Sequence, residues 1–235
     1  MTSVFISMVL ALQGQPAASA IQQRSLRVPE LERTLLYGIS IPNDYDSHQA
    51  VPLVLALHPG ANGRPTPYYG SVFMRQIFGP ALNGLRPIIV APDCLGGDWT
   101  DPVAEKSVLA LLKSVLDEYA IDRRRILVTG FSMGGHGTWF MESRHADLFT
   151  AAIIIAGSAR SEPLERLATI PTYVIHSRDD QVVPFEPAQR TAEELEKMGR
   201  PLKFEALEGL GHFEMGGYIN AIRRAGQWVA ERWAK

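Results

Sequence analysis

Cysteine is nearly absent from this sequence of 235 residues, which contains a single one, Cys94. One cysteine excludes an internal disulfide and leaves no cysteine cluster that could hold a zinc ion. We therefore expect Cys94 to be a core residue or a free thiol, and we expect no metal site.

An excess of charge of one sign is also missing. The sequence has 23 Lys and Arg against 25 Asp and Glu, a net charge of −2, with no basic block and no acidic tail. Proteins that bind nucleic acids or anionic membranes usually carry clustered positive charge. We therefore expect no nucleic-acid partner and a substrate that is small or neutral.

Long hydrophobic runs are absent as well. The apolar run from Val4 to Leu12 is too short to span a bilayer. It precedes Ala18-Ser19-Ala20, so residues 1–20 resemble a signal peptide with its cleavage site, although no Lys or Arg comes before the run. We expect residues 1–20 to be removed and the protein to be secreted or periplasmic; the alternative is a cytoplasmic protein.

Residues 21–235 are expected to form a single α/β domain, because the chain is 46% hydrophobic and strand-like and helical patterns alternate along it. This alternation predicts a mostly parallel sheet with helices on both faces, whose ligand site lies beyond the carboxyl ends of the strands. The predicted strands cover residues 33–41, 51–57, 87–91, 126–131, 151–156, 172–176 and 203–207, and the predicted helices begin at 107, 133, 187 and 216.

Ser132 stands at the most informative corner of the sequence. Gly130-Phe-Ser-Met-Gly134 follows an apolar strand and opens a helical pattern, which is the context of a sharp turn that exposes a nucleophilic serine. In such a turn the amide of Met133 points to where negative charge develops on a substrate carbonyl oxygen. We predict that Ser132 is a catalytic nucleophile and that Met133 contributes to the oxyanion hole.

A serine nucleophile requires a base and a group that orients the base. An acidic pair, Asp179 and Asp180, follows the strand that ends at His176, and His212 lies in a glycine-flanked loop after the last strand. We predict His212 as the base. The other histidines are expected to be structural (His58 and His176) or on the surface (His48 and His145), and His136 is a weaker candidate for contact with the substrate.

The order serine, acid, histidine resembles that of the α/β-hydrolase superfamily, and the resemblance extends over about residues 33 to 233. Gly130 to Gly135 is similar to its nucleophile elbow. His176-Ser-Arg-Asp-Asp-Gln-Val-Val-Pro184 resembles the acid-loop pattern H-G-x-x-D-x-x-V-P, with Ser177 in place of glycine. The resemblance implies that Asp180 is the triad acid, with Asp179 as the alternative.

The second oxyanion donor is expected in the loop that begins at His58. Pro59 has no amide hydrogen, so the donor is Ala61 or Gly60, and we favour Ala61. Trp99, Phe131 and Phe213 are predicted to contact the substrate, and for Trp99 the alternative is packing under its glycine-rich loop. Too few residues separate the strands at 151–156 and 172–176 for a large lid, so we expect an open site.

The segment from Thr34 to Tyr45 and the sequence Ala56-Leu-His-Pro-Gly60 are similar to secreted esterases related to polyhydroxybutyrate depolymerases and feruloyl esterases. The resemblance implies a serine esterase that acts on a small-molecule ester without a cofactor. A serine peptidase or an acyl thioesterase with the same triad is the first alternative. A hydrolase-fold protein that binds a ligand without catalysis is the second.

Overall fold

A computed structural model describes residues 20–61, 63 and 65–235. The strands are β1 (Ile21–Val28), β2 (Arg33–Ser40), β3 (Val51–Leu57), β4 (Ile88–Pro92), β5 (Ile121–Phe131), β6 (Ala151–Ile155), β7 (Thr172–Ser177) and β8 (Leu202–Leu207). They form one sheet in the order β1-β2-β4-β3-β5-β6-β7-β8. Among these strands β2 alone runs opposite to its neighbours, and all other adjacent pairs are parallel, which confirms the predicted α/β fold with a mostly parallel sheet.

Helices cover both faces of the sheet. They are α1 (Tyr69–Phe73), α2 (Gly79–Leu82), α3 (Pro102–Glu118), α4 (Met133–Arg144), α5 (Phe185–Lys197) and α6 (Ile219–Trp233). The core under α1, α2 and α6 is separate from the cores under α3, α4 and α5. In β3, Leu53 and Leu55 pack into the α3 side and Val54 packs into the α6 side, because successive side chains of a strand point to opposite faces.

Two elements were missed by the sequence analysis. One is the edge strand β1, which pairs with β2 along its full length. The other is the helical segment of α1, a π-helical turn at Met74–Phe78, and α2. The predicted helix at residue 216 begins instead as a 3₁₀ turn, Met215–Tyr218, before α6. The remaining predicted elements are present, with boundaries that differ by a few residues.

The predicted signal peptide lies outside the described residues, except for Ala20. Within the part of the chain that the structure describes, no helix has the length and apolar character needed to cross a membrane. The connection from β6 to β7 is described in full and contains one short 3₁₀ helix, Leu164–Arg166, so no large lid is inserted there.

Glu142 in α4 is a buried carboxyl group, 1% exposed, that ties α4 to the segment before β7. Its Oε1 accepts a hydrogen bond from the amide of Ala168 (3.0 Å), and its Oε2 lies 2.8 Å from Thr172 Oγ1. Burial raises the pKa of Glu142 to about 8. The folded protein therefore holds a proton on Glu142 at neutral pH, where the unfolded chain releases it.

This difference predicts that the free energy of unfolding falls as the pH rises from 4.5 to about 8, because the folded state binds more protons than the unfolded state in that window. Glu142→Gln should remove this part of the pH dependence and should be more stable than the wild type above pH 8. Chemical denaturation from pH 5 to 9 measures the effect, with the exposed Glu208→Gln as the control. Parallel curves for Glu142→Gln and the wild type would contradict the assignment.

Candidate active site

The corner between β5 and α4 holds Ser132 in a backbone conformation that side chains rarely adopt, with φ 57° and ψ −115°. A Cβ atom added to Gly130 would lie 2.1 Å from the carbonyl oxygen of Gly134, and one added to Gly134 would lie 2.1 Å from that of Leu57. Glycine is therefore required on both sides of the turn. The tight turn leaves the Ser132 side chain at the carboxyl edge of the sheet, as the sequence predicts.

The imidazole of His212 lies next to Ser132. Its Nε2 is 2.8 Å from Ser132 Oγ, and its Nδ1 is 2.7 Å from Asp180 Oδ2. Since the carboxylate can only accept, Nδ1–H donates to Asp180 and Nε2 accepts from the serine hydroxyl. The structure thus brings together three residues that are far apart in the sequence.

Asp180 is held by three donors. Besides His212 on Oδ2, its Oδ1 accepts hydrogen bonds from the amides of Val182 (2.9 Å) and Val183 (2.8 Å). Burial alone would raise the pKa of Asp180, but the hydrogen bond from His212 and the two amides outweigh it and hold the pKa below its ordinary value. Asp180 is therefore ionised at neutral pH, and its negative charge can stabilise the imidazolium form of His212.

Asp179, the alternative acid, faces a different partner. Its Oδ2 accepts from the amide of Gly209 at 2.6 Å, which joins the acid loop to the segment before His212. The geometry thus separates the two neighbouring carboxylates into one that contacts the imidazole and one that contacts the backbone.

His176 holds the acid loop through a hydrogen bond to its backbone. Its Nε2–H donates to the carbonyl oxygen of Val183 at 2.9 Å, and the side chain is fully buried. Burial lowers the pKa of His176, so the ring is neutral. The ring therefore holds the turn whose amides bind Asp180, which agrees with the structural role expected for His176.

The predicted oxyanion donors come from two neighbouring segments, the start of α4 and the loop after β3. Met133 opens α4, and the first amides of a helix have no acceptor within the helix. The Cα of Gly60 faces the Met133 side chain, since a Cβ added there would lie 3.8 Å from the Met133 sulfur. The loop predicted to carry the second donor is thus adjacent to Met133, and the choice between Gly60 and Ala61 stays a prediction.

Two of the three aromatic residues predicted to contact the substrate are buried. Trp99 and Phe131 are each 1% exposed, whereas Phe213 is 68% exposed. Trp99 donates to the carbonyl oxygen of His58 at 2.9 Å, and the Phe131 ring centroid lies 5.3 Å from that of His212. Trp99 and Phe131 therefore support the loops beneath the site, and only Phe213 presents a surface beside it.

His58 fastens the loop that carries Gly60 and Ala61. Its Nε2 accepts from the amide of Cys94 (3.1 Å), and Nδ1–H donates to the carbonyl oxygen of Pro59 (2.7 Å). Burial lowers the pKa of His58 to about 4 despite the hydrogen bond to Pro59. The ring is neutral and structural, as expected, and burial raises the pKa of Cys94 to about 12, so this thiol is unreactive.

The remaining histidines have separate surroundings. His136 is half-buried, and its Nδ1 lies 2.5 Å from the carbonyl oxygen of Ser158. His48 is exposed, as predicted. The expectation of a surface residue was wrong for His145, which is half-buried against α3 because its Nε2 contacts Glu105 at 2.7 Å.

The sequence analysis missed two side chains that hold the loop of His212. Gln181 Oε1 accepts from the amide of His212 (3.1 Å), and Glu214 Oε2 accepts from the amide of Gly211 (2.6 Å). Both are next to, or two residues from, a predicted triad member. Their closeness to the triad in the sequence was the available signal for this role. The direction of each side chain, however, depends on how the acid loop and the loop of His212 pack together.

The arrangement is suited to nucleophilic catalysis. An imidazole between a serine hydroxyl and a carboxylate can remove the hydroxyl proton and remain stabilised as the imidazolium. Within the described ranges, no cluster of three or more His, Cys, Asp or Glu side chains could hold a metal ion.

Comparison with known proteins finds feruloyl esterases among the relatives of this chain. The probable feruloyl esterase C of Aspergillus niger is 27% identical over 173 residues, which cover 67% of this chain and 59% of that protein. The probable feruloyl esterase C of Aspergillus clavatus is 25% identical over 208 residues, which cover 78% of this chain and 71% of that protein. The chain spans less than two thirds of the length of the A. niger relative.

Two esterases are among the solved structures that are similar to this chain. A thermostable esterase is 30% identical to this chain, and the two superpose with a TM-score of 0.76. The match covers 90% of this chain and 62% of the esterase. A ferulic acid esterase is 18% identical, and the match covers 91% of this chain and 98% of that one, with a TM-score of 0.73. At this identity the likeness shows the fold alone.

The sequence model of one family matches residues 94–221, more than half of the chain. This range contains the corner at Ser132 and the loops of Asp180 and His212 that meet there. The expected membership of the α/β-hydrolase superfamily is thereby confirmed. The chain belongs to its dienelactone hydrolase family.

Proposed function

We propose that the protein is a serine esterase that hydrolyses small carboxylic esters through Ser132, His212 and Asp180. The observation that carries the proposal is the unbroken series of contacts from Ser132 Oγ to His212 Nε2, at 2.8 Å, and from His212 Nδ1 to Asp180 Oδ2, at 2.7 Å. Each group stands within the distance at which a proton can pass.

In the first half of the reaction, Ser132 Oγ attacks the ester carbonyl carbon while His212 Nε2 takes the hydroxyl proton. The carbon–oxygen bond to the alcohol then breaks, and His212 returns the proton to the departing oxygen. The products are an acyl group on Ser132 and a free alcohol. In the second half a water molecule attacks the acyl carbon while His212 takes its proton. The bond to Ser132 Oγ then breaks, His212 returns the proton to the serine, and the acid is released.

Negative charge on the carbonyl oxygen requires two donors. The Met133 amide is the first, since it begins α4 and the helix dipole favours an anion at that end. The second donor comes from Ala61 or Gly60, because Pro59 has no amide hydrogen and His58 fixes this loop beside Met133.

Esters are the substrate class best supported by the relatives, which are named feruloyl esterases and an esterase. Feruloyl esters are therefore the first natural compounds to test. The open connection from β6 to β7 supports a small or polymer-attached ester over a long-chain lipid, whose hydrolysis usually takes place under a lid.

The experiment is a comparison of p-nitrophenyl esters, acyl thioesters and aminoacyl amides with wild-type protein and with Ser132→Ala. The proposal predicts that the esters have the highest kcat/KM and that Ser132→Ala removes their turnover. Faster turnover of amides or thioesters would favour a peptidase or a thioesterase, and no turnover of any class would favour a binding protein.

We also propose export of a mature chain that begins near Ile21 and folds as one domain. The proposal is supported by the leader-like pattern of residues 1–20 and by the position of β1, which starts at Ile21 and pairs with β2 throughout. N-terminal sequencing of protein purified from its native host tests it, and a chain that retains residues 1–20 would contradict it.

A further inference from the structure

A cavity of about 420 Å³ begins at the residue after His212, and the proposed mechanism assigns it no role. One wall is the turn that leads into α6, and the opposite wall is the π-helical turn between α1 and α2. Its lining residues are Gln76, Ile77, Phe213, Glu214, Met215, Gly216 and Gly217. A volume of this size is at the lower end of that of small-molecule sites.

Phe213 connects this cavity to the reacting groups. Its ring lies edge-on to the His212 imidazole, with centroids 5.4 Å apart and an interplanar angle of 87°. Phe213 is also 68% exposed, more than any other large apolar side chain in the described ranges. A large apolar side chain left in solvent beside an imidazole that contacts a serine is a surface that a ligand can cover.

The chemistry decides which part of an ester would lie there. His212 Nε2 hands its proton to the departing alcohol oxygen, so the alcohol must leave from the side of the imidazole. The carbonyl oxygen is bound by other groups, the proposed donors Met133 and the loop of Gly60. The group attached to the alcohol oxygen therefore extends past His212 toward Phe213.

We propose that this cavity binds the alcohol portion of the ester and selects alcohols that carry an uncharged aromatic or bulky apolar group. The assignment rests on the proposed esterase function. Phe213 and Met215 supply apolar surface, and Glu214 is the one charged residue of the lining. Its carboxylate disfavours an alcohol with a negative charge.

The test is a set of kcat/KM ratios measured with wild-type protein, Phe213→Ala and Phe213→Tyr. Benzyl acetate and methyl acetate differ only in the alcohol, and methyl butyrate and methyl acetate differ only in the acyl group. Phe213→Ala should lower the benzyl-to-methyl ratio about tenfold, as the loss of one apolar wall does in other enzymes. Phe213→Tyr keeps the ring and should keep the ratio.

The butyrate-to-acetate ratio should stay within about twofold in Phe213→Ala, since the acyl group lies elsewhere. Met198→Ala removes another exposed apolar side chain, at the end of α5, and should change neither ratio. An unchanged benzyl-to-methyl ratio in Phe213→Ala, or a change in the acyl ratio instead, would overturn the assignment of the cavity.

The wild-type measurements distinguish failure of the proposed esterase function from failure of the cavity assignment. If wild-type protein hydrolyses none of these esters, the proposed function is contradicted and the cavity assignment falls with it. If it hydrolyses them and Phe213→Ala leaves the alcohol preference intact, the esterase function stands and only the cavity assignment is wrong.

Discussion

Ser132→Ala is expected to lower kcat/KM for ester hydrolysis by roughly 10⁴-fold or more, because the nucleophile and the hydrogen-bond partner of His212 Nε2 disappear together. The fold should be retained, since the side chain is half-buried and alanine removes only a hydroxyl group. Steady-state kinetics with a p-nitrophenyl ester, together with thermal unfolding, measure both effects.

Ser158→Ala is the matched control. Ser158 is a buried serine in the loop after β6, and its hydroxyl has no hydrogen-bond partner among the described residues. Its removal should change kcat/KM by less than about threefold, because no reacting group contacts this hydroxyl. Equal losses in the two variants would contradict the special role of Ser132.

Asp180→Asn should lower kcat/KM by about 10³- to 10⁴-fold at neutral pH. The amides of Val182 and Val183 hold the oxygen on one side of residue 180, so the asparagine amide group must face His212 Nδ1. Nδ1 then has to accept, and the ring proton moves to Nε2, where it blocks proton removal from Ser132. Kinetics at pH 7 to 8 measure the loss.

Asp179→Asn is the control for this change and separates the two adjacent acids. Asp179 accepts from the amide of Gly209 and does not contact the imidazole, so its replacement should cost less than about tenfold. A larger loss in Asp179→Asn than in Asp180→Asn would transfer the role of triad acid to Asp179.

The central strands β3, β4, β6 and β7 were predictable because they are buried on both faces. Leu53 to Leu57 pack alternately into two cores, so the strand is a continuous apolar run that is visible in the sequence. The edge strand β1 has no such run, because it is half-exposed and is held by backbone pairing to β2. A strand of this kind leaves little periodic signal.

The sequence of the helical segment from Tyr69 to Leu82 contains apolar residues at helical spacing. Buried residues recur at helical spacing from Phe73 through Ile77 to Ala81, and Met74, Phe78 and Leu82 repeat one position later. These two adjacent series give the segment a wide apolar face, because it packs against α6 as well as against the sheet. This segment carries one wall of the cavity beside Phe213.

Within the site, the local glycine motif predicted the position of Ser132, whereas the sequence did not predict which aromatic residues are buried. The glycines around Ser132 are dictated by a turn of a few residues, so their meaning is visible locally. The direction of a ring is decided by distant partners: Phe131 packs on Tyr218 before α6, with centroids 5.2 Å apart, and Trp99 is held by His58. Their burial could not be derived from their neighbours in the sequence.

The most direct test of the account is covalent labelling of the folded protein with a fluorophosphonate, followed by peptide mapping. A hydroxyl activated by His212 should react, so the account predicts one adduct on Ser132, with slow or no labelling after His212→Ala. No adduct on folded wild-type protein, or an adduct on another residue with Ser132 unmodified, would contradict the claim that Ser132 is the nucleophile.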